Sequence, residues 1–315
     1  MTEWSASEYA RISGLQKAMA EEVLSLLDLN GTKRVLDVGC GNGRVTAEIA
    51  SRIPQGTVIG VDSSASMVAF ASSHYGPAGW PNLRFEIADA RRLPFQEEFD
   101  LVVSLNALHW IREQDKALRS IRSAMKPDGA AQLRLVPAGK RKSLENVIEE
   151  TRLSSKWVRY FQGFRDPYLH FTPEQYGELA ERDGLHICRI HTQDNSWDFE
   201  SRSAFLAFGS VTFIEWTQFI PEAERLDFVT DVLDRYRTVA ADQPGEENTF
   251  KFYQMDITPF ASLRQCDRRN HEGQDQGVAH DLLTSLDLSW SLRSNFFAVR
   301  SPLWSDGSYD NSSVG

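Results

Sequence analysis

A glycine-rich segment that directly follows a short apolar run leaves few folds open to this chain. Residues 35–38 read Val-Leu-Asp-Val, and residues 39–43 read Gly-Cys-Gly-Asn-Gly. Glycines at alternate positions allow a sharp turn and a close approach of the backbone to a ligand. A helical pattern then continues to Pro54, so the segment predicts a strand, a tight turn and a helix. Turns of this kind form the ligand-binding edge of open α/β sheets.

Further apolar runs of strand length alternate with helical patterns up to about residue 136. The second and third of the runs end at acidic residues, Asp62 and Asp89. Alternating strands and helices predict right-handed crossovers and a parallel sheet with helices on both faces. Strand-like alternation returns near 186–191 and at 248–258. We therefore expect a doubly wound, Rossmann-like α/β fold with a mostly parallel, seven-stranded sheet.

The same pattern divides the chain into a domain at 1–258 and an extension at 259–315. Within the domain we expect an N-terminal helix or lid at 1–30, a ligand-binding core at 31–136, a helical insertion at 137–247 and the last strand at 248–258. Aromatic residues make up 14 of the 70 residues from 151 to 220, against 11% of the whole chain. Most of these rings are expected in the core of the insertion, and some at a cavity. The extension is rich in Arg, Asp, Ser, Asn and Gly, and the sequence predicts no fold for it.

The charge balance narrows the class of partner. The chain has 44 acidic and 34 basic residues, and its formal net charge is −10. Nucleic-acid binding and polybasic membrane anchoring both depend on clustered Lys and Arg. No apolar run reaches the roughly 18 residues that cross a bilayer, and the first residues show no export leader. These features predict a cytoplasmic protein, monomeric or homodimeric, that binds neither nucleic acid nor membranes.

The spacing of the glycines also restricts the ligand. A dinucleotide fingerprint, G-x-G-x-x-G, needs glycine at position 44, where this chain has Arg44. No G-K-[ST] sequence is present to clamp the phosphates of a nucleoside triphosphate. Asp62 lies 23 residues after Gly39, near the spacing at which an acid accepts the hydroxyls of a ribose. A nucleoside without a pyrophosphate fits this pattern.

These segments resemble the class I S-adenosylmethionine-dependent methyltransferases over roughly residues 9–257. The matching segments are residues 35–43, Gly60-Val61-Asp62, Ala88-Asp89-Ala90, residues 99–103 and Lys126-Pro127-Asp128-Gly129. The last of these departs mildly from the family, which usually has Gly-Gly at its end. The resemblance implies S-adenosylmethionine as cofactor, bound by Asp37, Gly39, Cys40, Gly41, Asp62, Ser63, Asp89, Ala90 and Asn106.

The resemblance also implies a role for several of these residues. Gly39 and Gly41 would lie under the methionine part of the cofactor, and Asp62 would hold the ribose. Asp89 would meet the adenine amino group. Asp37 is similar to the acid that supports the loop, and Asn106 lies where the family lines the methionine pocket.

A second set of shorter motifs is similar to the juvenile hormone acid and trans-aconitate methyltransferases, which methylate carboxylates of small organic acids. The motifs are Gly14-Leu15-Gln16, Ala107-Leu108-His109-Trp110 and Lys156-Trp157. Gln16, His109 and Trp110 match positions near the cofactor end of the acceptor site in that group, so these three are the predicted catalytic residues. A carboxylate is ionised at pH 7, so its methylation needs no general base. The histidines are scattered along the chain, and we predict no metal.

Several alternatives stay open at this point. Gln16 also fits a solvent-facing residue, His109 a hydrogen-bonded core histidine, and Trp110 a packing residue. The acceptor carboxylate can instead be carried on an acyl carrier protein, whose acidic surface would meet Lys140-Arg141-Lys142 or Arg152. Methylation of nitrogen or carbon in a natural product is a further possibility. A non-catalytic binding module is disfavoured because every cofactor motif is present.

Overall fold

One mixed sheet organises the molecule. The computed structural model describes residues 14–262, so most of the predicted extension at 259–315 lies outside the described residues. The sheet order is β3-β2-β1-β4-β5-β7-β6. The strands are β1 (Arg34–Val38), β2 (Thr57–Asp62), β3 (Leu83–Ile87), β4 (Phe99–Leu105), β5 (Met125–Leu135), β6 (His186–Asp198) and β7 (Thr249–Phe260).

Strands β1 to β5 are parallel, and β7 runs antiparallel to both of its neighbours, β5 and β6. The predicted fold class is therefore confirmed. The helices of the described residues are α1 (Gly14–Leu26), α2 (Arg44–Arg52), α3 (Ala65–His74), α4 (Gln114–Ala124), α5 (Leu144–Arg152), α6 (Pro173–Arg182), α7 (Arg202–Thr212), α8 (Ile214–Thr217) and α9 (Glu222–Ala240).

Side chains at the helix starts explain where several helices begin. The Ser64 hydroxyl accepts from the N–H of Met67 and caps α3. Helices α5 and α6 begin with capping boxes, in which Ser143 and Thr172 each exchange hydrogen bonds with the residue three positions later. Such caps satisfy backbone N–H groups that have no partner inside the helix.

Helices cover both faces of the sheet because neighbouring strand residues point in opposite directions. Leu36 of β1 is buried in a cluster with side chains of α4 and α6. Val35, the residue before it, is buried in a second cluster with side chains of α2 and α1. Near-continuous apolar strands such as β4 are expected when both faces are covered.

The predicted insertion at 137–247 contains the strand expected near 186–191. Strand β6 divides it into a segment between β5 and β6 and a segment between β6 and β7. Helix α6 belongs to the main core, since Tyr176 and Ala180 pack with the sheet. The other aromatic helices share a separate core that includes Trp157, Trp216 and Phe228.

Strand limits also differ from those expected. Strand β6 continues to Asp198, seven residues beyond the predicted 186–191, and β7 ends at Phe260 rather than at 258. The two strands pair with each other along their whole lengths, which extends both. Residues 127–129 lie inside β5, where the pairing with β4 shifts in register.

No helix among residues 14–262 combines the length and the apolar character required to span a membrane.

Candidate functional site

A cavity of about 810 Å³ opens at the carboxyl ends of the parallel strands. Its size lies in the range of small-molecule sites, roughly 300–1,000 Å³. Helix α1, the glycine-rich turn, the loops after β2, β3 and β4, and part of the insertion contribute to its lining. All nine predicted cofactor-binding residues line it: Asp37, Gly39, Cys40, Gly41, Asp62, Ser63, Asp89, Ala90 and Asn106.

Backbone hydrogen bonds hold the glycine-rich turn. Gly39, Gly41 and Gly43 have φ values of +80°, +52° and +79°, in the region that favours glycine. The N–H groups of Gly39 and Cys40 both donate to the carbonyl of Val61, at 2.8 and 3.0 Å. The turn is thereby attached to the end of β2.

Close packing requires glycine at position 39 in addition to its φ. A Cβ atom on Gly39 would lie 2.2 Å from the Cβ of Ala107, in the loop after β4. A Cβ atom on Gly41 would meet no atom within 4 Å. The turn therefore touches the β4 loop at Gly39 and leaves open space beside Gly41, which a ligand can occupy.

Asp62 is fixed in orientation by two backbone groups. Its Oδ2 accepts from the N–H of Gly41 and its Oδ1 from the N–H of Ser64, each at 2.9 Å. Asp62 lines the cavity, and both oxygens of a carboxylate can accept hydrogen bonds. A carboxylate held in this way at a cavity can accept two neighbouring hydroxyls.

Asp37 lies beneath the turn and is 2% exposed. The hydroxyl of Thr46, on α2, donates to its Oδ2 at 2.7 Å. Burial raises the pKa of Asp37 to about 7, against the Thr46 hydrogen bond, which lowers the pKa. Burial also raises the pKa of the Cys40 thiol, so this thiol is protonated at neutral pH.

Asp89 is tied to a residue that was not predicted, Arg91. The Nε and Nη2 atoms of Arg91 donate to its two carboxylate oxygens at 2.9 and 2.7 Å. The Nη1 atom of Arg91 reaches Glu113 at 3.0 Å. The Arg91 hydrogen bonds hold the pKa of Asp89 below its usual range. Asp89 is therefore an anchored anion, and Arg91 and Glu113 line the cavity with it.

Asn106 combines an unusual backbone with an unsatisfied side chain. Its φ is +57°, and its N–H donates to the carbonyl of Arg134 at 2.8 Å. Its Oδ1 is buried without a hydrogen-bond partner in the described part of the chain. Buried polar atoms are normally bonded, so a ligand donor is expected at this oxygen.

The two predicted catalytic residues after β4 point in different directions. Trp110 lines the cavity, and its ring packs edge-on against Tyr168 and Trp216, with centroids 5.1 and 6.0 Å away. His109 is 5% exposed and does not line the cavity. Its ring lies 4.8 Å from that of Tyr168, and burial lowers its pKa to about 3. The structure thus places a neutral His109 behind the cavity wall.

Gln16 lies on α1, in a part of the helix whose side chains the structure does not describe. Met19 and Val23, three and seven residues later, line the cavity. Positions with this spacing share one face of a helix. Met19 and Val23 therefore share one face of α1, and the role of Gln16 stays a prediction.

Charged residues from distant segments line the same cavity and were not predicted. They are Arg112, Arg134, Arg165 and Glu215. Arg134 had a signal in the sequence, because it interrupts the apolar strand Leu133-Arg134-Leu135. Arg165 and Glu215 had none, since only the packing of the insertion brings them to the cavity.

Two further predictions concern charges elsewhere. Among residues 14–262, no three His, Cys, Asp or Glu side chains group as possible metal ligands. The basic residues considered for a carrier protein are largely paired: Arg141 bonds to Asp194, Lys142 to Glu150, and Arg152 to Glu149. Little free positive charge therefore remains on that surface for an acidic partner.

Comparison with known proteins agrees with this geometry. Residues 35–129 match a family described as "Methyltransferase domain". The chain is 31% identical to the trans-aconitate 2-methyltransferase of Deinococcus radiodurans over 263 residues, 79% of this chain and 95% of that protein. It is 26% identical to the enzyme of the same name from Shigella dysenteriae, over 79% of this chain and 93% of the other.

A solved structure shares the fold. It is the Haemonchus contortus phosphoethanolamine N-methyltransferase 2 in complex with phosphomonomethylethanolamine and S-adenosylhomocysteine. The TM-score is 0.54 at 20% identity, over 81% of this chain and 56% of that one. The glycine-rich turn, the strand-end acids and the relative that matches over nearly its full length lead to one assignment. This chain belongs to the class I S-adenosylmethionine-dependent methyltransferases, and its cofactor is S-adenosylmethionine.

Proposed function

We propose that this methyltransferase transfers the methyl group to a carboxylate oxygen of a small organic acid. The observation that carries the proposal is the pair of side chains Trp110 and Arg165 in the lining of the cavity. An indole N–H and a guanidinium are donors that orient a carboxylate. The name of the Deinococcus relative, a trans-aconitate 2-methyltransferase, supports an acid as acceptor.

The residues of the glycine-rich side fit the cofactor. In this proposal Asp62, which lines the cavity, accepts the ribose hydroxyls, and Gly39 and Gly41 lie under the methionine part. The unpartnered Oδ1 of Asn106 accepts from the methionine amino group. Asp89, with Ala90 and Ser63 nearby, borders the adenine, although Arg91 already occupies much of its carboxylate.

The protein's part in the reaction is to hold and shield the acceptor. When bound, S-adenosylmethionine supplies an electrophilic methyl group on a sulfonium. A carboxylate acceptor is already ionised, so no residue has to remove a proton, in keeping with a His109 that is buried and neutral. Trp110 and Arg165 hold the acceptor oxygen in line with the methyl group. Trp110 and α1 also exclude water from the reacting atoms. Such positioning is worth roughly 7–11 kcal/mol.

An amine acceptor is the second candidate. Glu215 and Glu113 line the cavity beside the arginines, and a carboxylate is the group that would bind a protonated amine. Glu113 is paired with Arg91 and Glu215 accepts from Gln218, and we take Glu215 as the residue by which this candidate is tested. We further propose that the methyltransferase domain spans residues 1–258. The protein is cytoplasmic and either monomeric or homodimeric in this proposal.

The test is a methyl-transfer assay with mass-spectrometric detection on a panel of mono-, di- and tricarboxylic acids, carrier-bound acyl chains and amines. We expect the free acids to give methyl esters, which mild alkali hydrolyses. N-methyl and C-methyl products are stable to the same treatment. Arg165→Met should raise KM for the acid at least about tenfold, which corresponds to about 1.4 kcal/mol. Glu215→Gln is the matched variant and should leave acid methylation unchanged. Alkali-stable products would rule out the ester, and an N-methyl product whose formation is lost in Glu215→Gln would establish the amine acceptor instead.

A further inference from the structure

Arg134 connects three parts of the cavity wall. It lies on β5, lines the cavity and is 1% exposed. Its Nε and Nη2 atoms donate to the two oxygens of Asp256, each at 2.7 Å. Asp256 is its direct neighbour on β7 and is itself buried. This bidentate pair fixes the plane of the guanidinium and directs its remaining nitrogen.

The remaining nitrogen of Arg134 holds helix α1. Its Nη1 donates to the backbone carbonyl of Met19 at 2.9 Å and to the carboxylate of Glu22 at 3.2 Å. Met19 lines the cavity together with Val23. The guanidinium of Arg134 thus bonds to the middle of α1, at the turn that contributes Met19 to the cavity lining.

The backbone of Arg134 supports the opposite wall. Its carbonyl accepts from the N–H of Asn106 at 2.8 Å. Asn106 has a φ of +57° and carries the unpartnered oxygen in the cavity. The same residue therefore positions the β4 loop through its main chain and α1 through its side chain.

We propose that Arg134 is a positioning residue that holds α1 closed over the cavity, so that the Arg134–Met19 bond controls how fast a bound ligand leaves. The buried Asp256 prevents the guanidinium from turning away, and Glu22, which is partly exposed, adds a second contact on the same helix. Release of a ligand then requires α1 to separate from Arg134. This role concerns the cofactor and does not depend on the identity of the acceptor.

The chain offers a matched control in Arg52. This residue of α2 also donates to a carbonyl of α1, that of Leu24, at 3.1 Å. Arg52 is partly exposed and does not line the cavity. Removal of either arginine deletes an arginine–carbonyl bond to α1, but only Arg134 joins the helix to the cavity wall.

The experiment measures the dissociation rate of S-adenosylhomocysteine and the hydrogen exchange of α1 amides in the full chain. Arg134→Lys keeps a positive charge beside Asp256 but cannot span both Asp256 and Met19. We expect it to raise the dissociation rate and α1 exchange about tenfold, and to raise KM for S-adenosylmethionine more than it lowers kcat. Arg52→Met should leave the dissociation rate unchanged.

Two further measurements keep the test decisive if Arg134→Lys folds poorly. The double variant Arg134→Met/Asp256→Leu removes both buried charges, and it should show the same faster dissociation. In the wild-type protein, S-adenosylhomocysteine should slow exchange in α1 at least tenfold and leave α9 unaffected. The proposal would be overturned if the Arg134 variants released S-adenosylhomocysteine at the wild-type rate, or if Arg52→Met raised that rate equally. It would also be overturned if the ligand did not change the hydrogen exchange of α1.

Discussion

The two sides of the cavity are held together by different kinds of contact. The glycine side is formed by the turns after β1, β2 and β3, and its hydrogen bonds come from main-chain N–H groups. Those of Gly39 and Cys40 donate to the carbonyl of Val61, and that of Gly41 donates to the carboxylate of Asp62. On the aromatic side, Trp110 rests on the rings of Tyr168 and Trp216. Main-chain contacts depend on glycine and strand geometry, whereas ring contacts depend on which large side chains are present. The glycine side therefore tolerates little change, and the aromatic side can be altered without disturbing the sheet.

The largest expected effect is a difference in pH dependence between the two sides. Asp37 binds its proton more tightly when folded, with a pKa of about 7 against about 3.9 in the unfolded chain. The free energy of unfolding that it contributes therefore falls as the pH rises from about 4 to 7. His109, with a pKa of about 3 against about 6.5 unfolded, makes the opposite contribution, which rises with pH between about 3 and 6.5.

Urea unfolding of Asp37→Asn and His109→Gln at pH 4, 5.5 and 7 checks this difference. Relative to wild type, the stability of Asp37→Asn should increase by about 4 kcal/mol between pH 4 and 7, and that of His109→Gln should decrease by about 3 kcal/mol between pH 4 and 6.5, at 1.36 kcal/mol per pKa unit. Parallel curves for the wild type and both variants would mean that neither buried group titrates as described.

The second effect concerns Gly39, where a methyl group has no room. In Gly39→Ala the new Cβ would lie 2.2 Å from Ala107 at a φ of +80°, so we expect at least about a 100-fold loss of S-adenosylmethionine affinity, near 2.7 kcal/mol. Gly41→Ala shares the positive φ but not the clash. It should lower the free energy of unfolding by only about 1–2 kcal/mol. Calorimetry measures the S-adenosylmethionine affinity of both variants, and thermal unfolding measures their stability. An equal loss of stability in the two variants would show that the contact with Ala107 is unimportant.

The third effect tests whether the glycine side binds the ribose. Asp62→Ala removes an acceptor and also releases the N–H groups of Gly41 and Ser64. We expect at least a tenfold weaker affinity for both S-adenosylmethionine and S-adenosylhomocysteine by calorimetry, about 1.4 kcal/mol. Asp62→Asn keeps one acceptor oxygen and should lie between wild type and Asp62→Ala. An affinity that neither substitution changes would remove Asp62 from the cofactor site.

The smallest effect should be confined to the aromatic side. Trp110→Phe keeps a ring against Tyr168 but loses the indole N–H, so we expect kcat/KM for the acid to fall roughly five- to tenfold, as for the loss of one hydrogen bond that contributes about 1 kcal/mol. Cofactor affinity should not change. Trp157→Phe is a suitable control because its indole N–H donates to Asp231 at 2.8 Å and Trp157 does not line the cavity. If cofactor affinity fell with Trp110→Phe, the two sides would not be independent.

The same contrast explains what could be predicted from the sequence. Residues 35–43 and the strand-end acids act through local geometry, so a short segment identifies them, and all nine predicted cofactor-binding residues line the cavity. Arg134 and Asp256 are 122 residues apart, and only the pairing of β5 with β7 brings them together. His109 was placed by motif, but its direction depends on the packing of Tyr168. Arg165, in the loop before α6, and Glu215, on α8, reach the cavity through tertiary packing that no local sequence pattern indicates.

The position of β7 in the sheet has a consequence for how the chain folds during synthesis. Strands β1 to β5 emerge first and can form a parallel sheet, but β5 then has an unpaired edge until residues 249–260 are made. During that interval Arg134 lacks the carboxylate of Asp256, and the edge of β5 is open to other chains, a recognised route to aggregation. More than a hundred residues must be translated before the edge is closed, so the nascent protein depends on β7 to become resistant to misassembly.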